Sequence, residues 1–275
     1  MQLLQENERN KVYREDEYVY KYFSNTIEYF RELSALSLLH NNKPDFVFPG
    51  IENSDKLKLY IKTRFLEFIS WEKAAENGKV SFDNSEKLAY ILLSVHQMPL
   101  GETKSINIQG VIDKALKEGL LLTNTLEIRI VKLIRDNYEE IISLCKKSRK
   151  ECFIHGDVQP GNIIFNKEKK IVGLLDWGHA GAGLAEFDLR QLPCYFGKNG
   201  VCMWKIYEKN TKRILDRELL YWLVLCRFLE LCFHYSQRVK EGKKYKILHL
   251  HLKYFLETKL DSGTIEMRLN NFNRV

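Results

Sequence analysis

The chain has 275 residues, 45% of them hydrophobic and 29% charged, with a formal net charge of +7. That is enough for one large domain or two modest lobes around a sizeable core, and the balance is that of a soluble globular protein rather than a disordered one. The opening residues, Met1 to Arg9, hold no apolar core long enough for a signal peptide, and the longest apolar run, Leu219–Phe233, is short and broken by Arg227 and Glu230. Export and membrane insertion are therefore not expected, and a cytoplasmic location is.

Taken in chain order, Lys11–Glu15 and Tyr18–Phe23 are short β-prone runs joined across Asp16-Glu17, which predicts a hairpin. Ser24 or Asn25 then caps a predicted helix over Thr26–His40, with Ile27, Phe30, Leu33, Leu36 and Leu39 on its apolar stripe. Phe46–Pro49 and Lys58–Phe68 are the next expected strands. From Ser85 onward helix dominates: Glu86–Met98, a long stretch over Leu126–Lys147, Arg217–Lys240 and Tyr245–Lys259. The alternation Leu248-His-Leu-His-Leu252 leaves that last segment open between helix and strand. A strand-rich lobe over residues 1–66 and a larger helical lobe over 67–275, with the chemistry between them, is the expected organisation.

The densest chemical signal is His155-Gly-Asp-Val-Gln-Pro-Gly-Asn162, followed at Ile171-Val-Gly-Leu-Leu-Asp-Trp177 by an apolar run that ends in a carboxylate. Short apolar runs at Cys152–Ile154, Ile163–Phe165 and Ile171–Leu175 read as strands around the loop. Phosphoryl transfer from a magnesium nucleotide needs a carboxylate to orient or deprotonate the acceptor hydroxyl and hard oxygen ligands for the cation. Asp157 suits the first task, Asn162 and Asp176 the second. The spacing His-x-Asp-x4-Asn equals that of a kinase catalytic loop. His155 is expected to hold the loop by hydrogen bonds. Asp188 is expected to cap a helix or to brace the loop.

Upstream, strand alternation sets Lys21 on the face of Val19 and Phe23, opposite Tyr20 and Tyr22. A cation there needs an anion; Glu32 on the following helix is the expected partner and Glu28 the alternative. No glycine precedes Lys11, so any cover over phosphates must use backbone and polar side chains. His96 reads as a structural histidine. The six cysteines show no Cys-x-x-Cys pair and no zinc spacing with histidine, and are expected to be reduced core thiols.

Together these residues resemble the aminoglycoside phosphotransferase and choline kinase family, the small-molecule branch of the protein-kinase-like fold. Val19-Tyr-Lys21 resembles its strand lysine, Arg31-Glu32 its helix glutamate, and Val95-His96 its Leu-His dipeptide. The segment His155 to Asn162 resembles its catalytic loop, and Leu175-Asp-Trp177 with Asp188-Leu189 its metal-binding segment. The resemblance implies an α+β two-lobed fold and transfer of the ATP γ-phosphate to a hydroxyl of a sugar, amino alcohol or antibiotic. GTP is the alternative donor and Mg²⁺ the metal. It further implies that Lys21 and Glu32 steer the phosphates, that adenine hangs from backbone at Arg64, Phe65 and Leu66, and that helices beyond residue 195 build the acceptor pocket.

Two other readings are weighed. A catalytically weak nucleotide-binding regulator would explain the missing glycines but not the complete set Asp157, Asn162 and Asp176. A nucleic-acid module would use residues 191–275, which carry 16 lysines and arginines against 8 acids. Those charges are scattered among core residues, so no nucleic-acid partner is expected.

Overall fold

The protein is described from a computed structural model, which covers residues 1–69, 71–74, 81–101, 103–147, 151–211, 213–238 and 242–257. By its contacts the chain forms two compact units, one of residues 1–106 with 151–183, the other of 107–150 with 184–275. This grouping differs from a cut after residue 66, because the strand-loop-strand segment clusters with the amino-terminal sheet.

The first unit holds a five-stranded antiparallel sheet in the order β1-β2-β3-β5-β4, from β1 (Gln2–Glu6), β2 (Asn10–Glu15), β3 (Tyr18–Phe23), β4 (Ile51–Asp55) and β5 (Tyr60–Arg64). The predicted β2–β3 hairpin is present, with Asp16 at φ 53° in its turn. Aromatic rings ladder one face: Tyr13 packs on Tyr22, and both Tyr20 and Tyr22 pack on Tyr60.

Helix α1 (Thr26–Asn42) runs two residues past its predicted end and is capped by Asn25, whose side chain accepts from the Glu28 amide. Its buried stripe is Tyr29, Glu32, Ala35, Leu36 and Leu39, while Ile27 and Phe30 are exposed. The predicted apolar stripe is therefore corrected at its first turn.

Phe46–Pro49 is not a strand of its own. Only Val47 pairs, its N–H donating to Val172 O at 2.8 Å and its carbonyl accepting from Leu174 N at 3.0 Å. Prolines at 44 and 49 flank it and lack the N–H a ladder needs. The expected strand Lys58–Phe68 is trimmed to β5. Helices α2 (Trp71–Ala74) and α3 (Phe82–His96) follow. Three short strands then match their predicted runs closely: β6 (Cys152–Ile154), β7 (Ile163–Phe165) and β8 (Ile171–Leu174). β7 pairs with β8, and β6 with β9 (Gly181–Gly183).

The second unit is helical: α4 (Ile108–Gly119), α5 (Thr125–Asp136), α6 (Tyr138–Lys146), α7 (Ala185–Leu189), α8 (Gln191–Phe196), α9 (Lys198–Thr211), α10 (Arg217–Ser236) and α11 (Gly242–Glu257). The long helix expected over 126–147 is two helices broken at Asn137, whose side chain donates back to Leu133 O at 2.8 Å. Helix α10 is long and apolar enough to cross a membrane by composition, yet it is mostly buried against its neighbours, as a core helix is. Its interrupting charges pair: Arg227 Nη1 sits 2.9 Å from Glu230 Oε2. The ambiguous segment around Leu248 is helical, in α11. Residues 239–240 and 258–259, included in the predicted helices, lie outside the described residues.

Candidate phosphoryl-transfer site

β3 ends on the core side at Phe23, and alternation carries Lys21 to the same face. Its Nζ lies 2.6 Å from Glu32 Oε2 on α1 and 2.8 Å from Asp176 Oδ1 after β8. Glu32 is thus the partner, and Glu28 instead faces Arg9 at 3.7 Å. Burial alone would lower the Lys21 pKa, but the two carboxylates outweigh it and hold the ammonium protonated, above its usual range. Burial likewise pushes Asp176 up, and Lys21 overrides it, holding that carboxylate below its usual range. Glu32 moves upward: burial raises it, Lys21 draws it down, and the Asp176 charge adds to the rise. One ammonium between two carboxylates leaves a net negative centre that favours a further cation.

The catalytic-type loop leaves β6 at Ile154. His155 is fully buried, 4.5 Å from the Trp177 ring centre. Its Nε2 lies 2.9 Å from Leu175 O and its Nδ1 3.2 Å from the Asp157 amide. A carbonyl only accepts and an amide only donates, so Nε2 carries the proton and the ring is neutral. His155 holds the loop, as expected. Gly156 sits at φ +82°, and a Cβ there would come within 2.2 Å of His179 O, so only glycine fits this turn.

Asp157 Oδ2 accepts from Gln159 Nε2 at 2.6 Å and from Asn162 Nδ2 at 3.0 Å, and Asn162 Nδ2 also reaches Asp157 O at 2.9 Å. Asn162 therefore spends its amide nitrogen inside the loop, leaving Oδ1. Asp176 spends Oδ1 on Lys21, leaving Oδ2. Both remaining atoms are hard oxygens, the donor type magnesium takes, so the residues present fit that ion. Asp176 adopts φ 58°, a left-handed conformation that aspartate tolerates better than most residues.

A cavity of about 470 Å³ is lined by Lys21, Glu32, Asn162 and Asp176 together with Arg64, Phe65 and Leu66. That size lies within the range of about 300–1,000 Å³ typical of small-molecule sites. Val12, Val19, Ile61 and Leu175 supply apolar wall. At the strand exit the Phe65 amide already donates to Glu17 O at 2.7 Å, and the Arg14 guanidinium stacks 3.7 Å over the Phe65 ring. Of the three connector residues, Leu66 therefore keeps a backbone amide with no partner on the described backbone, whereas that of Phe65 is committed.

The glycine-free turn between β1 and β2 is closed by Asn7, whose Oδ1 accepts from the amides of Arg9 at 2.8 Å and Asn10 at 2.9 Å. This turn carries Arg9 to 3.3 Å from His179 Nε2. Burial holds His179 below its usual range despite the nearby Asp157 and Asp176 charges. Sequence reading missed Arg9, Gln159 and His179. Gln159 and His179 lie two and three residues after assigned carboxylates, which is the signal that would have found them.

Asp188 is fully buried in α7, inside the helix rather than at its N-cap, which is Leu184. The capping explanation is thereby corrected. The aromatics after residue 191 are mostly core: Phe196, Trp204, Tyr207, Trp222 and Phe228 are buried, while Tyr195, Phe233 and Tyr235 are partly exposed.

A comparison with curated proteins finds no match. Among solved structures the fold is similar to an aminoglycoside phosphotransferase in complex with GDP and kanamycin, with TM-score 0.66 and 13% identity over 92% of each chain. It is similar to ADP-bound aminoglycoside phosphotransferase APH(2'')-Ib, with TM-score 0.60 and 17% identity over 92% of each chain. A type I macrolide 2'-phosphotransferase gives TM-score 0.61 and 15% identity over 90% of this chain and 88% of that one. The shared fold is α+β and protein-kinase-like, with a small β-rich amino-terminal lobe and a larger, mainly helical carboxy-terminal one. Residues 4–223 match the model of the phosphotransferase enzyme family, and over that length the chain belongs to it.

Proposed function

We propose that the protein transfers the γ-phosphate of ATP, or of GTP, to a hydroxyl group of a small molecule. The observation that carries this reading is the contact of Lys21 with both Glu32 and Asp176 beside the Asp157–Asn162 pair. Lys21, steadied by Glu32, would bind phosphate oxygens. Asn162 and Asp176 would hold Mg²⁺, which when bound neutralises charge on the phosphates. Asp157, fixed by Gln159 and Asn162, orients the acceptor hydroxyl and takes its proton. The adenine edge would meet the free backbone at Leu66, next to Arg64 and Phe65. His155 keeps the loop in register.

Support comes from the family match and from neighbours whose structures contain ADP, GDP or ATP. The acceptor is a sugar, an amino alcohol or an antibiotic. The test is nucleotide turnover by the purified protein across such a panel, with Mg²⁺ and without it. Acceptor-stimulated, Mg²⁺-dependent turnover supports the proposal; magnesium nucleotide binding with no turnover for any acceptor favours the regulatory reading instead.

A further inference from the structure

The second unit brings together three side chains that the sequence keeps far apart: Glu127 on α5, Cys232 on α10 and His249 on α11. Their ligating atoms all lie within 4.8 Å of one another. Glu127 is fully buried. Its Oε1 accepts from the Tyr245 hydroxyl at 2.7 Å and lies 2.8 Å from His249 Nε2. Its Oε2 is sealed from solvent and has no hydrogen-bond partner among the described residues. Cys232 Sγ lies 3.9 Å from His249 Nε2.

A carboxylate in this position carries a cost. No lysine or arginine pairs with Glu127 among the described residues. An unpaired buried charge is expensive, and one carboxylate oxygen is left with nothing.

We infer that Glu127, Cys232 and His249 form a binding site for a divalent zinc-type cation. The set is one sulfur, one imidazole nitrogen and one carboxylate oxygen, the mixture that zinc takes. Tetrahedral zinc with Zn–S of about 2.3 Å and Zn–N and Zn–O of about 2.0 Å sets ligand atoms roughly 3.3–3.5 Å apart, against 3.9 Å between Cys232 Sγ and His249 Nε2 and no more than 4.8 Å across the set, so a small inward shift of the side chains is needed. Oε2 is the free ligand atom, and Tyr245 stays on Oε1 to orient the carboxylate. On binding, the thiol releases its proton, and His249 presents Nε2 as a neutral imidazole; any proton it carried there moves to Nδ1 or to solvent. A dication with one thiolate and one carboxylate is neutral overall, which removes the buried charge. His249 is 20% exposed and gives the ion a way in. This site is independent of the phosphoryl-transfer reading.

The test uses the full chain, stripped with a chelator and then titrated with Zn²⁺, and with Co²⁺ as a spectroscopic probe. Expected are one tightly held ion per chain, a higher melting temperature with zinc, and the thiolate-to-cobalt charge-transfer band with intense visible bands of a tetrahedral site. Cys232→Ser should abolish the charge-transfer band, and Tyr245→Phe should weaken zinc binding about 10- to 100-fold. If Cys232→Ser does not fold, His249→Gln, at a partly exposed position, serves in its place and should also lose stoichiometric binding. The proposal is overturned if the stripped wild-type chain takes up no stoichiometric zinc and its melting temperature does not move. It is equally overturned if the cobalt band persists in the Cys232 or His249 variant, which would assign the metal to other residues.

Discussion

Lys21 Nζ, on the third strand of the sheet, lies 2.8 Å from Asp176 Oδ1, 155 residues away in sequence. The contact ties the sheet to the segment after β8, and it engages one oxygen of the carboxylate proposed to hold magnesium. Nucleotide and metal would therefore enter a site already poised around a shared ammonium.

Replacing that ammonium tests the electrostatics. Lys21→Met keeps most of the packing but leaves Glu32 buried and ionised without its cation, and breaking a buried pair in this way costs about 3 kcal/mol. Urea unfolding at neutral pH should register the loss. In the variant the folded-state pKa of Glu32 rises further above its unfolded value of about 4.3, so the penalty is full above the folded pKa and fades as acid protonates the carboxylate. Equal destabilisation at neutral pH and at pH near 4 would show that charge is not the cause.

Asp176→Asn removes charge from the cation ligand set while keeping the shape. The variant should need much higher Mg²⁺ for nucleotide binding, measured by calorimetry, and raised Mg²⁺ should restore only part of the turnover. An unchanged magnesium dependence would remove Asp176 from the ligand set.

Acceptor preference follows from charge. Residues 191–275 carry about two basic residues for each acid. In the first unit, a groove of about 280 Å³ is lined by Arg31, Lys104, Thr26, Ser34 and Thr103, with no carboxylate among the described lining residues. A polyamine site should instead present clustered acids. Neutral or anionic hydroxyl compounds should therefore exceed polycationic aminoglycosides in kcat/KM. An aminoglycoside turned over at or above ~10⁴ M⁻¹s⁻¹ and faster than neutral sugars would refute this.

The site was legible where the chemistry is local in sequence. The 155–162 loop and the run ending at Asp176 carry fixed spacings, and alternation alone put Lys21 on the face that meets Glu32. Legibility failed where burial did not follow composition. β1 escaped notice because all five of its residues are exposed, so no apolar alternation marks it. β4 reads Ile-Glu-Asn-Ser-Asp, turn-like residues held in a strand by pairing with β5. Ile27 and Phe30 misled the α1 stripe because the first turn faces solvent and Tyr29 takes the buried position. Composition leaves the large aromatics beyond residue 191 open between pocket wall and helix core, and helices packed around α10 bury most of them. The cluster Glu127, Cys232 and His249 spans three helices, and no sequence spacing could have disclosed it.

The most direct measurement of the central claim is detection of the phosphorylated product, by mass spectrometry and phosphorus NMR, from the best acceptor in the panel, for wild type and for Asp157→Ala in parallel. The account predicts Mg²⁺-dependent transfer to the acceptor hydroxyl by wild type, and a kcat about 10²–10⁴ lower in the variant with nucleotide affinity nearly intact, since a positioned base contributes on that order and does not touch the nucleotide. Equal product formation by wild type and Asp157→Ala would contradict it.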